Sequence, residues 1–434
     1  MDLNQLARSL IDTGIRSVDP YTAVRDTLSL TDGVLSIGER KWDVKSYDRV
    51  YVAGIGKAAF PMAKAADELL KPSESYFITK PDSVKQLEHI EALTGGHPNP
   101  TREGVKASQQ LIDLAERAGE DTLFIFLVSG GGSALFCAPV EEVPFEDFKR
   151  TNELLLQSGA NIHEINSVRK HISRVKGGRF AQLIDPAPTI SLILSDVVGD
   201  SLDVIASGPT VPDKSSFEDA LAVFEKYTLK EKVPTSVLEY LSLGVEGKRE
   251  ETLKKELPTV HNVIIGNNLK ALRAVREEAE EQGFNGIILS SQIEGEAREI
   301  GITHAGIAKE VQDSQTPVSP PAAVISGGEA TVTLDREGRG GPNREFVLGA
   351  ATKIEGREGI LVAAVDTDGV DGVGKSGALA DGDTVLRSKL DPNKTLKTHE
   401  TEDFFDELGD SIALGETGTN VNDLRIMLIT EASL

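Results

Sequence analysis

The sequence predicts an α/β protein of two domains, the first built on a doubly wound parallel sheet and the second on a smaller mixed sheet with helices. Three observations predict this. Apolar runs of strand length alternate with segments of helical period through the first half. After Gly208-Pro209-Thr210 the texture shifts to charged helices bounded by Pro234 and Pro258, and a second strand series follows. At 434 residues the chain also exceeds what one core serves, because single cores stop growing at about 250–300 residues.

Residues 49–53, 75–79, 122–128 and 189–194 read as parallel strands buried on both faces. Between them, residues 57–70 and 101–118 have amphipathic helical spacing. Helices are expected over 217–227 and 236–256, and the domain boundary is set between them, giving domains 1–235 and 236–434. The second strand series is expected at 262–265, 286–290, 322–326, 330–334 and 359–365, with helices over 268–282 and 296–312. Residues 400–434 are expected to pack back on the first domain.

Hydrophobic residues at 39% and charged residues at 26%, with no low-complexity tract, suit a globular enzyme. The net charge of −23 opposes nucleic acid and anionic membrane surfaces by Coulomb repulsion, so an anionic substrate needs a local basic pocket. Cys137 is the sole cysteine, which excludes an intrachain disulfide and points to a reducing cytoplasm. The amphipathic start MDLNQLARSLIDTGIRSVDP carries acids, unlike a cleaved signal, and runs such as LFIFLV are too short to span a membrane. A soluble protein is expected.

Glycine-rich turns mark the candidate site. The first strand runs into Gly54-Ile55-Gly56-Lys57-Ala58-Ala59, the G-x-G-x-x-A form of the dinucleotide fingerprint, but Lys80 and Pro81 stand where an acid would hold a ribose. Lys57 sets an ammonium on that turn, able to neutralise a phosphate or carboxylate. The third strand ends in Ser129-Gly130-Gly131-Gly132-Ser133, whose amides and hydroxyls form an oxyanion nest. Ser133 is no nucleophile elbow, since Leu135 replaces the last glycine of that motif. The run 166–179 gathers basic side chains, among them Lys170, His171, Arg174 and Lys176, either as a solvated helix or as a phosphate-facing one. Asp196 lies just past a strand end, placed to hold Mg2+, to accept a hydroxyl proton or to cap a helix. Arg344, after the rigid turn Gly341-Pro342-Asn343, is either a positioned guanidinium or part of an ion pair.

Residues 369–376, GVDGVGKS, satisfy the P-loop pattern G-x-x-x-x-G-K-[ST]. Three features oppose that reading. Too little chain follows to build the supporting sheet, glycines interrupt the helix that should begin there, and Asp366, Asp368 and Asp371 would repel a polyphosphate. A loop presenting acids to Mg2+ or to ligand hydroxyls fits better.

The segments GIGKAA, TGGHPNPT, SGGGSAL, INSVRKHIS with KGGR, LSDVVGD with IASGPT, GNN, SGGE, GGPNRE, DTDGVDG and TGTNVNDL occur in one order along nearly the whole chain. In this the sequence resembles the class II glycerate kinases, whose C-terminal domain is of MOFRL type. The resemblance implies a Rossmann-like first domain, an active site in the interdomain cleft, and phosphorylation of D-glycerate at its 2-hydroxyl by ATP with Mg2+ or another divalent cation. It implies that Lys57 contacts substrate and that Arg344 lies in the same cleft; the two are expected to neutralise the carboxylate and the moving phosphoryl group. Asp196 first, or Asp366 second, would orient or deprotonate the attacking hydroxyl. Gly54, Gly56, Ser129, Gly130, Gly131, Gly132, Ser133, Arg174, Lys176, Asn268 and Asn420 are expected to bind substrate or phosphate, and Asp366, Asp371 and Glu329 to hold the metal. Expected partners are glycerate and ATP, with no nucleic acid and no membrane; a homodimer is left open. The competing reading is an NAD(P)H-dependent hydroxypyruvate reductase, motivated by G-x-G-x-x-A, and a non-catalytic sensor of sugar-acid phosphates is the other.

Overall fold

The computed structural model describes residues 2–334, 336 and 338–431. The chain forms two compact units, one of Pro20–Ser195 with Asp200–Ile265, the other of Met1–Asp19 with Asp196–Gly199 and Gly266–Leu434.

The first unit begins with an antiparallel meander, β1 (Ser29–Thr31), β2 (Val34–Ile37) and β3 (Arg40–Asp43). Its main sheet contains β4 (Arg49–Ile55), β5 (Ser75–Thr79), β6 (Ile90–Thr94), β7 (Thr122–Val128), β8 (Thr189–Leu194) and β9 (Val260–Gly266), in the order β6-β5-β4-β7-β8-β9. The pairings from β6 to β8 are all parallel. Every residue of β7 and β8 is buried, as the unbroken apolar runs require. Phe180 packs its ring 4.8 Å from Phe126 and 4.9 Å from Phe136, closing one face beneath β7. The strand order reverses between β4 and β7, and open α/β sheets bind ligands at the carboxyl ends of the strands at such a switch point.

The second unit has β10 (Asn285–Glu296), β11 (Ala322–Thr331), β12 (Ile360–Asp366), β13 (Gly377–Asp381), β14 (Ser411–Ile412) and β15 (Asp423–Ile429), in the order β10-β11-β15-β12-β13-β14. Among the described residues only β10 and β11 pair in parallel; the other pairings are antiparallel. Side chains alternate between two cores. Ala323, Ile325, Leu361, Ala363, Ile426 and Leu428 pack with the helices Leu3–Ser17 and Asn268–Glu281. Val324, Val362, Ala364 and Met427 pack with the helices Ala297–Ser314 and Pro342–Ile354.

The structure departs from the sequence expectations at identifiable points. The run 262–265, expected to open the second sheet, lies in β9 at the edge of the first, where Thr189 N donates to Thr259 O (2.8 Å) and Thr210 Oγ1 to Asn262 Oδ1 (2.6 Å). The unit boundary accordingly falls after Ile265, not 235. The helix expected over 236–256 stops at Val245; Gly247 has φ +72°, and Leu253 N donates to Gly177 O (3.0 Å) instead of continuing the helix. The run 322–326 continues through Gly327 and Gly328 as one strand, β11, that ends at Thr331, so residues 332–334 of the expected run 330–334 lie outside it. Those glycines are needed by close approach, since a Cβ on Gly327 would stand 1.9 Å from Asn268 Oδ1. Within the 400–434 stretch, residues Asp423–Ile429 supply β15 between β11 and β12.

Candidate functional site

In the first unit the ends of β4 and β7 are stitched together. Lys57 N donates to Gly130 O (2.8 Å), and Ser129 N donates to Ile55 O (3.0 Å). The Ser129 hydroxyl accepts from Ala58 N (3.1 Å) and donates to Ile55 O (3.2 Å). Gly56 has φ +121°, and a Cβ there would lie 2.2 Å from Ser129 Oγ, so only glycine admits this approach. Ser129, expected to bind ligand through its hydroxyl, therefore braces the Gly54 and Gly56 turn. Gly132 N turns back to Ser129 O (3.3 Å). Among the described residues the amides of Gly130, Gly131 and Ser133 donate to no other residue, and the Lys57 stem passes beside Gly131. Unpaired main-chain donors next to an ammonium make a receptor for an anionic oxygen.

The basic run is neither a solvated helix nor a phosphate-facing one. Lys170 Nζ is paired with Asp213 (3.1 Å) and Asp203 (3.4 Å), His171 Nε2 with Glu251 (2.8 Å), and Arg169 Nε donates to Asn152 Oδ1 (2.6 Å). Arg174 lies beyond the helix Ile162–His171 and donates to Gln109 (2.9 Å), so the expectation that it binds phosphate is not met by its partners. Lys176 is buried, and its Nζ donates to the carbonyls of Ser133 (2.8 Å) and Phe136 (3.2 Å) from behind the glycine loop. Burial pushes its ammonium down to about 7. Its contact with the site is thus indirect, through the loop it holds. Ser133 Oγ shares a hydrogen bond with Ser207 Oγ (2.8 Å), which donates to Asn166 Oδ1 (3.1 Å); Asn166 Nδ2 is buried without a partner.

In the second unit Arg344 and Asp371 form a fully buried pair, Nε to Oδ2 at 3.0 Å. Asp371 also accepts from Asn343 N (2.8 Å) and Arg344 N (3.0 Å), capping the helix Pro342–Ile354. With both oxygens so engaged, Asp371 is a cap and counter-charge where the sequence suggested a metal ligand. Arg344 reaches on to the carbonyls of Asp371 (2.6 Å) and Val373, leaving Nη1 buried and without a partner among the described residues. Asn268, expected to bind substrate, uses Nδ2 to hold the carbonyls of Val421 (2.7 Å) and Asp423 (2.9 Å). Asn420 Oδ1 accepts from Asn422 N (3.0 Å) within its own turn.

The remaining acids crowd one another. Asp366, at the end of β12, accepts from Asp368 N (3.0 Å), and burial together with Asp368, Asp423 and Asp371 pushes its carboxyl up to about 8. Partial desolvation, then Asp423, Asp196 and Glu294, raise Glu329 above the ordinary carboxylate range. Asp196, half-buried, is packed with this unit and acts on Glu329 through that charge. Among the described residues no group of three or more His, Cys, Asp or Glu is arranged to hold a metal ion.

The GVDGVGKS match is accidental. Gly377 enters β13, antiparallel to β12, where a P-loop would start a helix. Lys375 Nζ pairs with Asp406 at the surface (2.8 Å), and Ser376 Oγ donates to Gly369 O (2.6 Å) while accepting from Leu414 N (2.9 Å). Residues given no role from sequence are nevertheless central. Asp423 accepts from Asn343 Nδ2 (2.7 Å), Ala330 N (2.8 Å) and the buried Arg425, and Asn166 and Ser207 underlie the glycine loop. Each lies in a segment that carried the family resemblance, which was the only signal available for it.

Comparison with known proteins follows this geometry. A family model described as a domain of unknown function, DUF4147, matches residues 6–242, and the MOFRL family model matches residues 322–423. A glycerate 2-kinase of Pyrococcus horikoshii is 41% identical, covering 99% of this chain and 98% of that protein. A D-glycerate 2-kinase of Thermotoga maritima is 40% identical, covering 98% of each. The crystal structure of a Thermotoga maritima glycerate kinase superposes with a TM-score of 0.89 at 39% identity, covering 99% of both chains. No described helix is long and apolar enough to cross a membrane.

Proposed function

The chain belongs to the glycerate kinase family that carries a MOFRL domain, and from that premise we propose that it is a glycerate 2-kinase. ATP would phosphorylate the 2-hydroxyl of D-glycerate, giving 2-phosphoglycerate and ADP. The observation that carries this reading is the stitched turn at β4 and β7, where Lys57 and the unpaired Gly130, Gly131 and Ser133 amides form a receptor for anionic oxygens. Phosphoryl transfer asks mainly for alignment and charge neutralisation, which this group supplies without a covalent step. Lys57 neutralises a carboxylate or phosphoryl oxygen directly. Arg344 acts chiefly by fixing the 371–373 segment, with Nη1 alone left for a ligand.

Mg2+ belongs to the same proposal, held chiefly by the nucleotide phosphates with one or two carboxylates such as Asp366 or Glu329, since Mg2+ seldom uses an all-protein cage. The described residues offer no ready cluster for the ion. The proposed setting is a reducing cytoplasm, consistent with a lone Cys137 that is buried and whose thiol burial pushes up to about 12.

Purified protein incubated with D-glycerate and Mg-ATP should release ADP, and NMR of the product should show 2-phosphoglycerate. Incubation with hydroxypyruvate and NAD(P)H should leave the cofactor unoxidised; oxidation without any ADP release overturns the reading in favour of the reductase. Lys57→Ala should lower kcat/KM by about 10²–10³, the scale of one lost oxyanion donor, with melting unchanged.

A further inference from the structure

His97 follows β6 in the turn Gly95-Gly96-His97-Pro98, and this turn has no room for side chains at its glycines. A Cβ on Gly96 would stand 2.3 Å from Asn99 O, and one on Gly95 would stand 3.0 Å from Leu135 O. The turn therefore delivers the imidazole to a fixed place over the glycine loop. The position of a Cβ on Gly131 is 2.8 Å from His97 Cδ2, 3.1 Å from His97 Nε2 and 3.2 Å from Lys57 Cγ. The ring and the lysine stem both flank Gly131, in the loop with unpaired amides.

The other chemistry of this ring is unused. Among the described residues neither nitrogen of His97 has a hydrogen-bond or ion-pair partner, and the side chain is open to solvent on its outer side. By contrast His89, His171, His304 and His399 are tied to Asp67, Glu251, Ser326 and Glu345. A histidine held against an anion receptor with both nitrogens free is placed for a ligand.

We propose that His97 is a catalytic residue of this site, its imidazole accepting the hydrogen bond of the acceptor hydroxyl and taking that proton as the oxygen attacks. The inference rests on the glycerate kinase reading. In the step, the hydroxyl proton passes to the imidazole nitrogen and a bond forms between the hydroxyl oxygen and the γ-phosphorus. The bond from that phosphorus to the bridging oxygen breaks, ADP leaves with the electron pair, and the imidazolium returns its proton to water. Burial, then Lys57 and Lys80, hold the ring below the usual histidine range, so it is neutral and able to accept at physiological pH. The carboxylate of glycerate and the nucleotide phosphates oppose those two ammoniums and strengthen the base once bound.

The test compares wild type with His97→Ala and His97→Asn across pH 5–9, using D-glycerate and ATP. Both variants are expected to lose about 10²-fold or more in kcat/KM, the general-base scale, and to lose the acidic limb of the wild-type profile. The chain has seven histidines, so the ring signals missing from the His97→Asn NMR spectrum identify His97 in the wild type. Added glycerate should shift those signals, while the signals that remain in the variant report an intact fold. The proposal is overturned if either variant keeps kcat/KM within about twofold, if the acidic limb persists in the variants, or if glycerate leaves the His97 signals unmoved. A wild type that does not phosphorylate glycerate refutes the underlying reading instead, and that outcome is read before any variant is made.

Discussion

Asp371 and Asp366 stand five residues apart and show how little a carboxylate's place in the sequence says about its work. Asp371 is sealed against Arg344 and two helix N–H groups, whereas Asp366 has one backbone donor and faces other acids. Removing one partner of a buried pair leaves the other charge uncompensated, so Asp371→Asn should destabilise the protein by about 3–5 kcal/mol in urea or thermal melts. That loss should appear without metal or nucleotide; unchanged melting in their absence would return Asp371 to the cation. Lys375→Ala, cutting an exposed pair, serves as the control at about 0–1 kcal/mol. Asp366 carries the opposite sign of pH dependence. Its folded carboxyl titrates near 8 against about 3.9 unfolded, so the folded state binds the extra proton between those values. Its contribution is complete below the lower pH and is lost as pH rises through the upper one. Asp366→Asn should flatten that fall and raise the melting temperature at pH 8.5, by about 2–4 °C for each kcal/mol of repulsion removed.

The glycine-rich turns were legible as sites because a strand end followed by glycines in a parallel sheet has few other uses. What the glycines do there was not legible, since it depends on partners far along the chain. Gly56 is fixed by Ser129, and the loop after Ser129 is held from behind by Lys176. The basic run 166–179 misled for the same reason: Asp203, Asp213 and Glu251, which neutralise it, arrive from remote segments. Likewise β15 escaped notice because Asp423 and Arg425 interrupt its apolar pattern, and only the fold pairs them with each other. Gly56→Ala puts a Cβ into the Ser129 hydroxyl at a left-handed φ, a strain of about 1–3 kcal/mol. It should therefore separate the two turns and lower glycerate turnover well beyond its effect on melting; a variant with normal kcat/KM would show that the stitch is dispensable.

At the scale of the molecule the alternation of strands and helices announced both α/β units, while the boundary between them was displaced by one strand that belongs to the earlier sheet. The net charge of −23 acts on everything at once. Shortening the Debye length from about 30 Å to about 8 Å by raising salt from 0.01 to 0.15 M screens self-repulsion. The melting temperature should rise over that range, and a fall would mean that attractive pairs dominate. The second unit draws on distant parts of the chain: Leu6, Leu10 and Ile11 pack with Leu272 and Val275, and β15 sits inside the sheet, not at its edge. During synthesis the segment 20–265 can close its own core as it leaves the ribosome, while the helix Leu3–Ser17 waits for partners not yet made. That apolar stripe is exposed to chaperones until Asp423–Ile429 emerges, and a ribosome stalled before that strand would carry one finished unit and one that cannot close.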